Sequence, residues 1–208
     1  GLEEEKNGYL RMAAYFEERA KGGVGLIVTG GIAPNRQGWV APFSSKLTTK
    51  RVARKHRQIT EAVHKHDGKI CLQILHSGRY GYHPLAVSAS SIKSPIGMFK
   101  PKALSERGIQ KTINDYARCA ALAQYAGYDG VEIMGSEGYL INQFIAKRTN
   151  RRTDGGGGSY ENRIKFPLEI VKRTREKVGN DFILIFRLSM LDVVEGGSTW
   201  DEIVQLAK

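Results

Sequence analysis

The sequence predicts an α/β protein: an incomplete (β/α)8 TIM barrel with about four strands and their helices present. Three observations carry that prediction. Apolar runs the length of buried strands alternate with stretches of helical periodicity, the pattern of a parallel sheet covered on its outer face. Small and polar residues collect just past the end of each apolar run, where such barrels carry their sites. No apolar run opens into a Gly-x-Gly-x-x-Gly turn, which counts against the competing doubly wound dinucleotide fold.

Tyr9 to Lys21 reads as a helix, with Leu10, Ala13, Ala14, Phe16 and Ala20 on or near one face. Val24 to Val28 is an apolar strand ending in Thr29-Gly30-Gly31. Thr48 to His66 is a long helix that Thr48 or Thr49 can cap and Asp67-Gly68 closes. The next strand runs from Lys69 to Leu75 and ends in His76-Ser77-Gly78-Arg79. A Pro- and Ser-containing excursion fills Tyr80 to Ser105. Gly108 to Tyr125 is helical and stops at Gly127; Gly130 to Met134 is a strand. Tyr160 to Val178 is a helix, Phe182 to Ser189 a strand, and Trp200 to Ala207 the start of another helix. Four strands cannot close a barrel of eight. The expectation is therefore one partial barrel domain over residues 1–208, with its first and last strands outside the chain.

At 208 residues, 41% hydrophobic and 25% charged, the chain has the composition of a globular protein with one sizeable core. No apolar run approaches the ~20 residues of a membrane span and no signal peptide opens the chain, so a cytoplasmic location and no membrane partner are expected. Cys71 and Cys119 show no metal-ligand spacing and read as buried small hydrophobes, so no metal site is expected. The net charge of +11 raises the question of nucleic acid. Arg51, Arg54, Lys55 and Arg57 cluster, but on a helix whose Ile59, Ala62 and Val63 mark the opposite face, and no nucleic-acid-binding motif accompanies them. A second group, Lys147, Arg148, Arg151 and Arg152, suits the steering of a phosphorylated small molecule. Nucleic acid is not expected as a partner, and the sequence carries no mark of oligomeric state.

Residues 129–163 say most about chemistry. A buried strand runs into the small-residue turn Gly135-Ser136-Glu137-Gly138 and then presents Tyr139, followed by a loop dense in Arg, Asn and Gly. An unperturbed phenol, pKa ~10, holds its proton at neutral pH and can act as an acid. The plainer reading is a packed Tyr donating to a backbone carbonyl. Gln73, inside an apolar strand, needs a buried partner whatever its role. Arg187, in Phe186-Arg187-Leu188-Ser189, would by the plain reading sit in a buried ion pair.

The runs LIVTGGIAP, CLQILHSGRY, DGVEIMGSEGYLINQF with its RTNRRTD and ENR continuation, and FRLS occur in this order over nearly all of the chain. Together they resemble the FMN-dependent old yellow enzyme family, and within it the bacterial 2,4-dienoyl-CoA reductase (NADPH) branch. The resemblance implies a TIM barrel with FMN at its C-terminal mouth. It makes Gly31 the small residue against which flavin lies, Gln73 the amide on the flavin pyrimidine edge, and Arg187 the cation beside flavin N1 and O2. Tyr139 becomes the donor of a proton to the carbon next to the substrate carbonyl, while hydride goes to the far end of the conjugated system. Arg148 matches a position near the acyl-CoA entrance, where with Arg151 and Arg152 it would meet CoA phosphates. His76 and Arg79 read as shaping the mouth.

Two departures point to the branch. Simple enone reductases of the family hold a substrate ketone with His and His or Asn, where this chain has Met134 and Glu137. Met cannot donate and an ionised Glu only accepts, so Glu137 is read as orienting Tyr139 or another acid. A third departure is Gly156, where the family carries an aromatic. The branch implies reduction of 2,4-dienoyl-CoA in the β-oxidation of unsaturated fatty acids. It also implies a second acid, a His on the next strand, and a 4Fe-4S cluster, FAD and NADPH held outside this stretch. The stretch alone is expected to hold FMN weakly and to be inactive. Two alternatives stand beside it: an amine oxidoreductase of the trimethylamine dehydrogenase kind, and a non-catalytic barrel or binding module.

Overall fold

The computed structural model describes residues 2–208. Its regular elements are α1 (Gly8–Lys21), β1 (Leu26–Ile32), α2 (Lys50–His64), β2 (Lys69–Ile74), β3 (Val87–Ser88) and β4 (Lys102–Ala103). There follow α3 (Glu106–Tyr125), β5 (Gly130–Gly135), α4 (Leu140–Ile145), α5 (Tyr160–Val178), β6 (Ile183–Leu188) and α6 (Trp200–Ala207). Strands β1, β2, β5 and β6 form one sheet in that order, and every ladder is parallel. The predicted alternation of strand and helix is therefore present. The β3–β4 pair is a separate two-stranded ribbon inside the excursion before α3.

Register fixes which side chains share a face. Ile27, Ile32, Ile70, Leu72, Ile74, Val131 and Ile133 enter one buried cluster with Ile59 and Val63 of α2, Ile113 and Tyr116 of α3, and Ile164 and Ile170 of α5. The alternate positions, Cys71, Gln73, Glu132 and Arg187, lie on the opposite face, the one that no helix covers. The core is thus one layer of helices on one side of the sheet, and the other side is left for chemistry.

The first strand differs from expectation. It begins at Leu26 and continues through Gly30 and Gly31 to Ile32, although Gly-Gly reads as a turn. The register slips by one residue between Val28, paired with Cys71, and Gly31, paired with Gln73. Thr29 makes that bulge tolerable: its hydroxyl accepts from the Gln73 N–H at 3.0 Å and donates to the Gly30 carbonyl at 2.9 Å.

Helix starts follow side-chain caps. Thr49 caps α2 by accepting from Val52 N, so the helix is shorter than the predicted Thr48–His66, and Asp67 follows its end in a left-handed conformation, φ 56°. Ser105 caps α3, which starts at Glu106, two residues ahead of the predicted Gly108. The short helix α4, which the sequence reading passed over, follows Tyr139 directly. Arg51, Arg54, Lys55 and Arg57 are exposed on α2 as expected. Cys71 and Cys119 are buried free thiols, and burial pushes Cys71 up to about 11. Among the described residues no His/Cys/Asp/Glu group could hold a metal, and no helix is long and apolar enough to cross a membrane.

Candidate active site

Four residues from four strands line up across the uncovered face. Gly31 pairs with Gln73, Gln73 with Glu132, and Arg187 stands two residues beyond Ile185, the partner of Glu132. Glu132 joins the row. Its Oε1 accepts from Gln73 Nε2 at 2.7 Å and Arg187 Nε at 3.0 Å, and its Oε2 accepts from Arg187 Nη2 at 3.2 Å. The bonds to Glu132 hold the Arg187 guanidinium above its usual pKa. Gln73 and Arg187, both expected from the sequence, are therefore brought together by a residue the sequence reading did not single out. The signal was available: a Glu inside an apolar strand run needs a charged partner. Gly31 has a local reason of its own, since a Cβ there would come within 2.7 Å of Leu75 Cβ.

Beyond β5 the chain turns sharply. Glu137 and Gly138 both take positive φ, 59° and 75°, and the Glu137 N–H donates to the Ser189 hydroxyl at 3.1 Å. The Gly138 N–H donates to Asn142 Oδ1 at 2.7 Å, and Asn142 Nδ2 reaches Asp192 Oδ1 at 3.0 Å, tying the turn to the loop after β6. Tyr139 sits at the N-terminal boundary of α4, its ring edge-on to Tyr80. Burial first, then the charge of Glu137 and the neighbouring Tyr80, raise the Tyr139 hydroxyl above its ordinary pKa. Glu137 itself is exposed, and its carboxylate makes no hydrogen bond to Tyr139 among the described contacts; its influence is through charge. Tyr80, a wall of this site, was missed because it lies in the excursion, where no periodicity marks it.

The basic loop divides in two. Arg148 is exposed and lines a cavity of about 310 Å³ with Arg79, Tyr80, Glu137 and Leu191. Arg152, expected beside it as a phosphate ligand, is committed elsewhere. Its guanidinium donates to the carbonyls of Ala89 and Leu104 at 2.9 and 2.6 Å and pairs with Asp154. It is a structural clamp between the β3–β4 ribbon and the glycine loop, while Arg151 stays exposed. At the end of β2, His76 is fully buried and neutral, its pKa pushed down to about 3 by burial. Its Nδ1 accepts from the Gly78 N–H at 3.1 Å, so Nε2 carries the proton.

The whole chain, residues 1–208, matches the model of the NADH:flavin oxidoreductase / NADH oxidase family. The chain belongs to this family of old yellow enzyme type. It is 37% identical over 206 residues to an N,N-dimethylglycine/sarcosine dehydrogenase of Chromohalobacter salexigens, a match covering 95% of this chain and 29% of that protein. It is 39% identical over 206 residues to an NADH oxidase of Thermoanaerobacter brockii, covering 95% and 31%. Among solved structures, 2-naphthoyl-CoA reductase in complex with 2-naphthoyl-CoA superposes with a TM-score of 0.89 at 32% identity, over 95% of this chain and 33% of that one. The chain thus spans about a third of the length of these relatives. Its four strands and helices correspond to part of a barrel.

FMN is the cofactor of the family, and the donor set here fits it. With Nε2 on Glu132, Gln73 keeps its Oε1 as an acceptor, and Arg187 Nη1 remains as a donor. His76 Nε2 and Arg79 Nε are buried donors without a hydrogen-bond partner among the described residues. A carboxamide acceptor and a guanidinium donor held on one sheet face by the same carboxylate suit the edge of a planar, polar ring system.

Proposed function

We propose that this chain carries part of the active site of an FMN-dependent reductase of conjugated carbon–carbon double bonds, acting on 2,4-dienoyl-CoA with NADPH as the ultimate reductant. The observation that carries the reading is the position of Tyr139. It is a phenol held protonated by burial and by the charge of Glu137, just past a strand whose neighbours display Gln73 and Arg187.

In this reading Gln73 and Arg187 hold the flavin pyrimidine edge, and Gly31 lets the ring approach the strand. Bound FMN supplies the hydride to the far end of the conjugated system. Tyr139 protonates the carbon next to the thioester carbonyl, because hydride addition builds an enolate there. Glu137, exposed beside it, keeps the phenol from ionising. Met134, 4% exposed, offers no hydrogen bond to a ketone oxygen, which argues against a small-enone site. Arg148, with Arg79, faces the CoA phosphates. Similarity to 2-naphthoyl-CoA reductase supports an acyl-CoA thioester as substrate. Residues 1–208 would then be part of the FMN-binding barrel domain of a longer cytoplasmic protein of unsaturated fatty acid β-oxidation, with the 4Fe-4S cluster, FAD and NADPH site elsewhere in it.

One observation favours a second reading: the similarity to N,N-dimethylglycine/sarcosine dehydrogenase suggests oxidation of a methylated amine. Assaying the full-length protein with NADPH and a 2,4-dienoyl-CoA, and separately with dimethylglycine and an electron acceptor, decides between them. Turnover of the amine alone would replace the first reading; flavin binding without either activity would leave a binding module.

A further inference from the structure

Glu132 is 4% exposed, yet the hydrophobic core does not need it, since it faces away from the helices. A buried carboxylate requires compensation, and Arg187 supplies the opposite charge. The bond to Gln73 is therefore surplus to neutrality, and its effect is directional. A carboxamide can be presented either way round. With Nε2 committed to Glu132 Oε1 at 2.7 Å, a flipped Gln73 would set oxygen against oxygen. Glu132 thus pins Gln73 so that its Oε1 is the atom left for a ligand. The same carboxylate grips Arg187 along its Nε and Nη2 edge, leaving Nη1 uncommitted among the described residues. It also offsets part of the guanidinium charge, because a counter-ion at that range cancels much of the field beyond it.

We propose that Glu132 is a positioning residue that fixes Gln73 as an acceptor and Arg187 as a partly neutralised donor, and so sets the charge offered to bound flavin. The proposal rests on the functional reading above. It differs from a merely structural role in sign: removing the carboxylate should loosen flavin while leaving Arg187 more strongly positive. A stronger cation beside the ring favours the anionic reduced form.

The test uses the full-length protein and Glu132→Gln, an isosteric change that removes the charge. Crystal structures of the flavin-free proteins are expected to show Gln73 ordered in the wild type and displaced or turned in the variant, with Arg187 still on the sheet face. FMN affinity is expected to fall at least tenfold. The two-electron midpoint potential is expected to rise by about 30 mV, the equivalent of a tenfold change in the equilibrium. In an Arg187→Met background, Glu132→Gln is expected to leave the potential unchanged. Unmoved side chains with unchanged affinity and potential would overturn the proposal, as would an equal shift of potential without Arg187. A wild-type protein that binds no flavin would instead defeat the functional reading, and the crystallographic comparison alone would then decide the role of Glu132.

Discussion

The Tyr80 ring meets the Tyr139 ring edge-on, with centroids 5.8 Å apart and planes at 80°. Gly138 is what lets them meet: it has φ 75°, and a Cβ there would strike the Tyr80 hydroxyl. Gly138→Ala is expected to cost about 1–3 kcal/mol, from backbone strain and collision together. Urea denaturation measures it, and Tyr80→Ala in the same chain should recover part of the loss. A cost below about 0.5 kcal/mol would show that the turn admits a Cβ without strain.

Under the proposed function, Tyr139→Phe removes the proton donor and little else. Substrate turnover should fall by about 10²–10⁴, the usual worth of a positioned proton donor, while reduction of the flavin by NADPH keeps its rate. Because burial, Glu137 and Tyr80 all raise the Tyr139 pKa, the protonated form persists above the ordinary phenol range. Activity should therefore decline only on the alkaline side, above about pH 10. Stopped-flow traces of the two half-reactions across pH separate these effects.

Arg148 and Arg152 should behave oppositely when each is changed to Ala. Among the described residues the Arg148 guanidinium makes no hydrogen bond or ion pair, so its loss should leave thermal stability unchanged; under the proposed function it should raise KM for an acyl-CoA about tenfold, the order of one charge-assisted hydrogen bond. Arg152 satisfies two carbonyls and Asp154. Its loss should cost about 2–4 kcal/mol, with substrate affinity affected only through stability. Calorimetry beside steady-state kinetics checks the pair.

Two buried histidines set the acid limit. Burial lowers His56 to about 4 and His76 to about 3. Above pH ~6.5 both are neutral whether the chain is folded or not. As pH falls below that value, the unfolded chain takes up protons that the folded chain refuses, so stability drops. The slope is roughly 1.4 kcal/mol per pH unit for each group until its folded pKa is reached. Urea midpoints from pH 7 to 4 should follow that fall. His56→Gln should remove about half of the slope, and a flat profile would refute the assignment.

Gly155→Ala should be stabilising. Among the described residues nothing lies within 4 Å of its would-be Cβ, and its φ is not positive. Restricting the unfolded chain at such a site adds about 0.4–1 kcal/mol, readable as a small rise in Tm. A fall in Tm would mean that the loop uses the freedom of this glycine.

Fold class was legible because β2, β5 and β6 of the main sheet are short apolar runs bounded by polar punctuation, and because α2 carries a cap, Thr49, that marks its start. Gln73, Arg187 and Tyr139 stood out as polar side chains where burial or a strand end was expected. Glu132 did not stand out, because its partners lie 59 and 55 residues away and only the register brings them together. Arg152 was misjudged for a related reason. Composition counts it with Arg148 as one basic loop, but the β3–β4 ribbon that occupies its guanidinium is two residues per strand and leaves no periodic trace. Helix α4 spans six residues, too few for periodicity to show.

The bulge in β1 acts as a phase shift. If the same residues paired regularly, with no bulge, Gly30 would fall opposite Gln73 and Ile32 would turn away from the core, where it is now 2% exposed. Straightening the bulge with every residue kept would therefore act as a frame error in three dimensions, exchanging inside for outside from that point to the end of the strand. Deleting Thr29 or Gly30 would instead absorb the bulge, leaving Gly31 opposite Gln73 and Ile32 opposite Ile74. The extra residue is thus a removable spacer, and the strand's inside and outside are set by the pairing beyond it.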